Sequence, residues 1–195
     1  MEEKTTELLT SDFYRTLISV LIGGLISFLS ILFIEIRKSF KEKRERKIRI
    51  YRGIISTMNI IRRYENRSLK NALLFNYHKK MHSIKNEEVH KVQAEYHQKL
   101  MDEYSLKVLE KTEFLDIYAI DYHSINNNDE KFQELLIKIN NWERPEIPEY
   151  NNISSIQLIN DKVKQDQKRI HQETIISFSN VINEIQPHMK TELGI

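Results

Sequence analysis

Cysteine is missing from all 195 residues. Its absence excludes disulfides, thiolate metal sites and cysteine nucleophiles, and it fits a reducing compartment. Glycine and proline are scarce, at four and three residues, so turn-forming material is too sparse for a many-stranded β fold. Only Gly53 and Gly194 lie beyond residue 24. No glycine-rich phosphate cradle, Gly-x-Ser-x-Gly elbow or kinase glycine-rich loop is therefore present. No internal repeat or low-complexity tract is evident. With no nucleophile singled out and no cofactor motif, the chain reads as a non-enzyme.

What the chain does have is one long uncharged run. Residues 16–34, TLISVLIGGLISFLSILFI, contain no ionisable side chain. As a helix, 19 residues span about 28 Å, close to the hydrocarbon thickness of a bilayer. A buried helix of a soluble domain carries a polar stripe, and this run has none. A signal peptide has a basic leader and a shorter apolar stretch. Here the leader is acidic and Glu35-Ile36-Arg37-Lys38 follows, so the run reads as a retained anchor. Thr16, Ser19, Gly23, Ser27 and Ser30 recur at three- and four-residue steps and share one face. Ser19-xxx-Gly23-xxx-Ser27 is a small-xxx-small pattern, which lets helix backbones approach closely in lipid and points to a homo-oligomer. The same face is the candidate pore lining.

The modest formal charge of +2 conceals a strong asymmetry. Residues 1–36 carry a net −3. Residues 37–85 hold 16 Lys and Arg against Glu42, Glu45 and Glu65, a net +13, and residues 86–195 a net −8. A segment this basic either faces a polyanion, such as anionic lipid or nucleic acid, or is a solvated basic helix. The lysines and arginines follow the apolar run rather than precede it. The positive-inside rule therefore places the N-terminus outside and the rest in the cytosol, with Phe13 and Tyr14 as aromatic anchors at the outer interface. Arg37, Lys38, Lys41, Lys43, Arg44, Arg46, Lys47 and Arg49, with Arg52 behind them, suit anionic lipid headgroups at about 1 kcal/mol each. A second cluster, Arg62, Arg63, Arg67, Lys70, Lys79 and Lys80, lies further on. A continuous helix puts Arg62 about 40 Å beyond Arg37, outside a Debye length of about 8 Å. Lipid does not account for it. Two explanations remain open: pairing with the acidic remainder of the chain, or an external nucleic-acid or nucleotide ligand. Tyr64, Phe75 and Tyr77 interleave with these cations as stacking surfaces for bases.

The remaining pattern is helical. The anchor helix continues through the basic stretch to Tyr64, with Gly53 its weak point. A second segment covers 68–83 and a third 86–122. The third has the stripe Val89, Val92, Tyr96, Leu100, Tyr104, Val108, Leu115, Tyr118, with Asn86 as N-cap. The Asn126-Asn127-Asn128-Asp129 run is a turn and cap opening a short helix to about residue 141. Pro145 and Pro148 enforce an extended segment. A last helix covers 152–186, ended by Pro187, with Gln167 and Thr174 interrupting its apolar seam. The expected organisation is an extracytoplasmic tail (1–15), a transmembrane helix (16–36), a basic juxtamembrane neck (37–66), a cytosolic helical bundle (67–186) and a C-terminal tail (187–195). The fold class is all-α, a membrane helix continuing into a bundle of long antiparallel helices.

Metal chemistry finds little footing. His78 and His82 share a helix face, but Lys79 and Lys80 between them repel a cation. Glu87-x-x-His90 matches half of a di-iron signature, and no second copy exists in the chain. No metal or cofactor is expected.

A short outer tail, one small-residue span carrying Ser19-xxx-Gly23-xxx-Ser27, and a basic neck at 37–52 before a helical domain together form a recognisable layout. It resembles the single-pass membrane effectors of bacterial anti-phage systems, such as the nucleic-acid-gated channel subunits of Hailong-type systems. That resemblance implies a cytosolic domain that senses an infection signal and an oligomer of spans that permeabilises the bacterial inner membrane. The alternative is a non-conducting membrane-tethered scaffold or immunity protein that recruits a cytosolic partner.

Overall fold

A computed structural model describes residues 2–126 and 129–195, with side chains described from Arg15 onward. Asn127, Asn128, Phe13 and Tyr14 lie outside the described side chains. All regular structure among the described residues is helical: α1 (Glu2–Lys85), α2 (Glu88–His123), α3 (Glu130–Asn140) and α4 (Ile156–Leu193). The all-α expectation holds. The chain divides into two compact units, Met1–Arg46 and Lys47–Ile195.

The first unit is the N-terminal part of α1. Every residue of 16–34 is exposed, and α1 is long and apolar enough to cross a membrane near the N-terminus. Contiguous apolar exposure on this scale exceeds what soluble surfaces tolerate. Ser27 Oγ donates to Gly23 O at 2.9 Å and Ser30 Oγ to Ile26 O at 2.8 Å. Each of these hydroxyls is thus satisfied within its own helix, as a helix surrounded by hydrocarbon requires.

The second unit is a bundle of three long helices. Helix α1 does not stop near Tyr64. It runs on to Lys85, so the segment expected at 68–83 is its last turns and the bundle begins at Lys47. Asn86 then takes a left-handed conformation (φ 52°), its N–H bonded to His82 O. Asn tolerates that region better than most residues, so Asn86 makes the turn instead of capping α2; Glu87 occupies the N-cap position. Helix α2 returns antiparallel to α1. Gly53 meets Tyr118, Ser68 bonds Ser105, and His78 meets His90. Asp129 caps α3 by accepting from Phe132 N at 2.9 Å, as expected.

The chain then runs extended past Pro145 and Pro148 alongside α1, tied to it by Arg144–Glu65 and by Asn76 Nδ2 donating to Pro148 O. Helix α4 is antiparallel to α1 and is pinned along its length by Lys47 to Leu193 O, Arg62 to Ser179 and Tyr77 to Asn160.

Two corrections concern α4. It begins at Ile156 with Ser155 as cap, and Pro187 does not end it. Proline costs about 3 kcal/mol inside a helix. Burying Met189 and Leu193, at about 1.5–3 kcal/mol each, offsets that. Gly194, left-handed at φ 62°, supplies the actual stop, with Gly194 N bonded to Thr191 O and Ile195 N to Lys190 O. Residues 187–193 are therefore core-forming helix and not a tail. Thr174 is fully buried and donates to Ile170 O at 2.7 Å, which satisfies its hydroxyl within the apolar seam.

The apolar core falls into two clusters. One joins Ile50, Ile54 and Met58 of α1 to Leu115 and Tyr122, Phe132 and Leu135, and Ile185 and Met189. The other joins Leu69 and Leu73 to Tyr150, Ile159, Val163 and Ile170. Trp142 packs against both.

Candidate functional site

The second unit leaves one face of α1 uncovered. Arg49, Arg52, Ser56, Arg63, Arg67 and Lys70 are all exposed and recur at steps of three, four and seven residues, so they form one stripe of five cations. The opposite face carries Ile50, Ile54, Met58, Ile61, Leu69 and Leu73 into the core, which fixes the stripe outward. Among the described residues no ion pair joins any of these five cations to a carboxylate. Glu103 pairs with Lys107, Glu110 with Lys111, Glu134 with Lys138 and Glu173 with Arg169. These carboxylates of the acidic remainder are matched by neighbours on their own helices and not by the stripe. The one carboxylate of α1 within this unit, Glu65, is 5% exposed and accepts from Arg144 at 2.8 Å.

Beside Lys70 the stripe opens into a cleft of about 350 Å³ between α1 and α4, lined by Asn66, Lys70, Lys164, Gln167, Lys168 and His171 over Leu73 and Ile170. No carboxylate lines it. His171 Nδ1 and Asn66 Oδ1 lie 3.3 Å apart at its edge.

The six cations of the second basic cluster and the interleaved Tyr64 do not form one surface. Arg63, Arg67 and Lys70 stay on the stripe. Arg62 turns into the α1–α4 seam and donates to Ser179 Oγ at 3.0 Å. Tyr64 stacks on Tyr104 at 6.0 Å, with Lys107 over both rings, and Arg67 lies 5.5 Å above Tyr104. Lys79 sits over Phe75 and Lys80 donates to Asn151 O at 2.9 Å, both beside a small cavity that also contains Glu149. The three aromatics are correspondingly spent on packing. Tyr64 and Phe75 are half-buried under cations, and Tyr77 donates to Asn160 Oδ1 at 2.9 Å against the second core cluster. They are not free stacking platforms.

Of the residues assigned to lipid headgroups, 37–46 belong to the first unit and are exposed. Lys38–Glu42 and Lys41–Glu45 form loose i,i+4 pairs at 4.0 and 3.9 Å. Lys47 is engaged by Leu193 O at 2.9 Å, and Arg49 heads the stripe of the second unit. Of the small-residue face, a Cβ built at Gly23 meets nothing within 4 Å. Sequence reasoning missed Lys164, Lys168 and His171. Their four- and three-residue spacing on α4 is a readable signal, but it was masked by the net negative charge of that half of the chain.

Two other polar clusters are structural. Across the α1–α2 seam His78 Nδ1 and His90 Nδ1 lie 3.1 Å apart, and His97 Nδ1 donates to Asn71 Oδ1 at 2.9 Å. Burial, with His97 and His90 alongside, pushes the His78 imidazole down to about 4. His82 faces Glu87 O instead of pairing with His78. Asp129, besides capping α3, accepts from Tyr122 Oη and His188 Nε2. Burial opposes its ionisation, yet these donors hold its carboxyl below the usual range. The cluster ties α2, α3 and α4 together. No group of three or more His, Asp or Glu side chains is arranged to hold a metal among the described residues.

No protein-family model, curated protein or solved structure matches the chain.

Proposed function

We propose that the chain is a homo-oligomeric, single-pass effector of a bacterial inner membrane, with its N-terminus outside and the helical unit in the cytosol. Its helical unit senses a phosphate-rich ligand, a nucleic acid or nucleotide signal, and controls membrane permeability, in keeping with a role in anti-phage defence. The observation that carries this reading is the stripe Arg49, Arg52, Arg63, Arg67 and Lys70, exposed and unmatched by any carboxylate among the described residues. Had these cations served the fold, they would face the acidic remainder of the chain. Among the described residues no carboxylate of that remainder forms an ion pair with the stripe, which favours an external polyanion over the internal explanation. Stripe and span belong to the same helix, α1. A ligand that binds one packing of the α1 helices better than another shifts their equilibrium by that difference in affinity.

The test is ion flux from liposomes carrying the full chain, with and without a short single-stranded oligonucleotide. The ligand triggers leakage, and Arg52→Gln/Arg63→Gln/Arg67→Gln abolishes the response while leaving insertion intact. Vesicles that stay sealed in both states remove the permeability claim.

A second reading has its own support. Leu106, Leu109, Ile117 and Ile120 lie exposed on one face of α2, an apolar strip suited to a protein partner. Under this scaffold reading the protein conducts nothing, and replacing 16–34 by an unrelated span preserves activity. Under the effector reading that replacement abolishes it.

A further inference from the structure

We infer that the cleft between α1 and α4 is a binding site for a compact organic phosphate with two or three phosphoryl groups, held by Lys70, Lys164 and Lys168 with Asn66, Gln167 and His171 at its rim. This deepens the reading that the basic face takes phosphate ligands and rests on it.

The cleft is built from two helices whose relation is fixed on both sides of it. Arg62 bonds Ser179 to one side and Tyr77 bonds Asn160 to the other. Between these ties, Lys164, Lys168 and His171 follow one another at single-turn spacing on α4 and face Asn66 and Lys70, one turn apart on α1. Leu73 and Ile170, both buried, close the floor, so the ammonium groups act beside a low-dielectric wall where their field is less screened than on open surface.

Three lysines line the one cleft with no carboxylate among the lining residues. The acids nearest in sequence on α4 are committed elsewhere or stand apart. Asp166 is buried, accepts from Tyr150 Oη at 3.2 Å and lies 3.6 Å from Arg169. Glu173 pairs with Arg169. Asp161 forms no ion pair with Lys164 among the described residues. Lysine is a point-charge binder of phosphate, and the two side-chain amides add hydrogen-bond donors at the rim.

Shape sets the ligand class. A volume of about 350 Å³ lies in the range of small-molecule sites and admits a nucleoside diphosphate or triphosphate, whereas a polymer lies along the stripe outside. A monovalent anion leaves at least two of the three ammonium groups unmatched.

The experiment titrates the full chain in detergent with ATP, inorganic pyrophosphate and adenosine, and separately with a short single-stranded oligonucleotide. ATP binds saturably, pyrophosphate competes, and adenosine does not bind. Lys164→Gln/Lys168→Gln weakens ATP at least about tenfold, Lys168→Arg stays near the native affinity, and Lys138→Gln on α3 changes nothing. The lysines are exposed, so thermal unfolding of the variants matches the native chain and reports that they are folded. Absence of ATP binding, or equal affinity in native and Lys164→Gln/Lys168→Gln proteins, overturns the site. Displacement of ATP by a short-chain phosphatidylglycerol assigns the cleft to a lipid headgroup and overturns the soluble ligand. Oligonucleotide binding without ATP binding sinks the cleft alone. ATP binding without oligonucleotide binding sinks the polyanion reading of the stripe alone.

Discussion

Tyr118 lays its ring across the backbone of α1 at Gly53, where a Cβ would overlap Cδ1, Cε1 and Cζ. The residue that sequence alone marks as a weak point in the helix is the one that lets α2 approach. Two opposed effects meet there. Alanine favours helix over glycine by about 1 kcal/mol, while forcing a methyl group against a packed ring costs about 1–3 kcal/mol. Gly53→Ala is therefore expected to destabilise the bundle by up to about 2 kcal/mol net. With Tyr118→Ala in place the clash is gone, and the same substitution stabilises by about 0.5–1 kcal/mol. Denaturant unfolding of the four proteins of this cycle measures the coupling. A Gly53→Ala change that stabilises equally in both backgrounds shows that the ring simply swings aside.

At the scale of elements, the α1–α2 seam has an acid-sensitive stretch. His78, His90 and His97 meet there beside Asn71, Tyr77, Lys70 and Glu87. Burial lowers the His78 imidazole to about 4 from the 6.5 of an unperturbed histidine, and His97 is lowered by burial and by Lys70. The unfolded chain therefore binds more protons than the folded one between about pH 6.5 and 4. The contribution of these groups is complete above 6.5, declines as the pH falls and is exhausted below about 4. Asp129, held below 3.8, adds a further loss in stronger acid. Stability measured by denaturant at about pH 7 and about pH 5 should drop for the native chain and drop less for His78→Gln. Equal drops in the two proteins refute the assignment.

This seam also shows what the sequence could and could not disclose. The all-helical class, the Asp129 cap, the extended Pro145–Pro148 segment and the antiparallel pairing follow from periodicity and turn chemistry. The α2 stripe does not. Val89, Val92 and Tyr96 are exposed, while His90, Ala94 and His97 turn inward, because a polar cluster rather than an apolar one fills the narrow end of the hairpin. The end of α4 was misread for a related reason: burial of Met189 and Leu193 outweighs the local penalty of Pro187. The candidate site was half legible. Clustered charge pointed to α1, but only the packing of α4 shows that Lys164 and Lys168 join Lys70.

For the whole molecule, the effector reading requires the spans to touch, and the small-residue face provides a direct probe. At Gly23 an added Cβ meets nothing within 4 Å in a single chain, and the hydroxyls of Ser27 and Ser30 are bonded within their own helix. A large side chain at position 23 has no intramolecular clash to make. Any effect it has must come from a neighbouring copy whose backbone approaches that face. Gly23→Leu is expected to weaken self-association at least about tenfold, seen as a fall in particle mass of the detergent-solubilised protein at fixed concentration. Helicity and the unfolding of the bundle stay unchanged, because Gly23 lies in the first unit and the core lies wholly in the second. Leakage triggered by oligonucleotide should fall with the mass, while oligonucleotide binding to the stripe persists, since its cations begin at Arg49. An unchanged mass places the contact between copies elsewhere. A reduced mass with full leakage breaks the link between span packing and permeability, leaving the α2 strip and a protein partner as the better account.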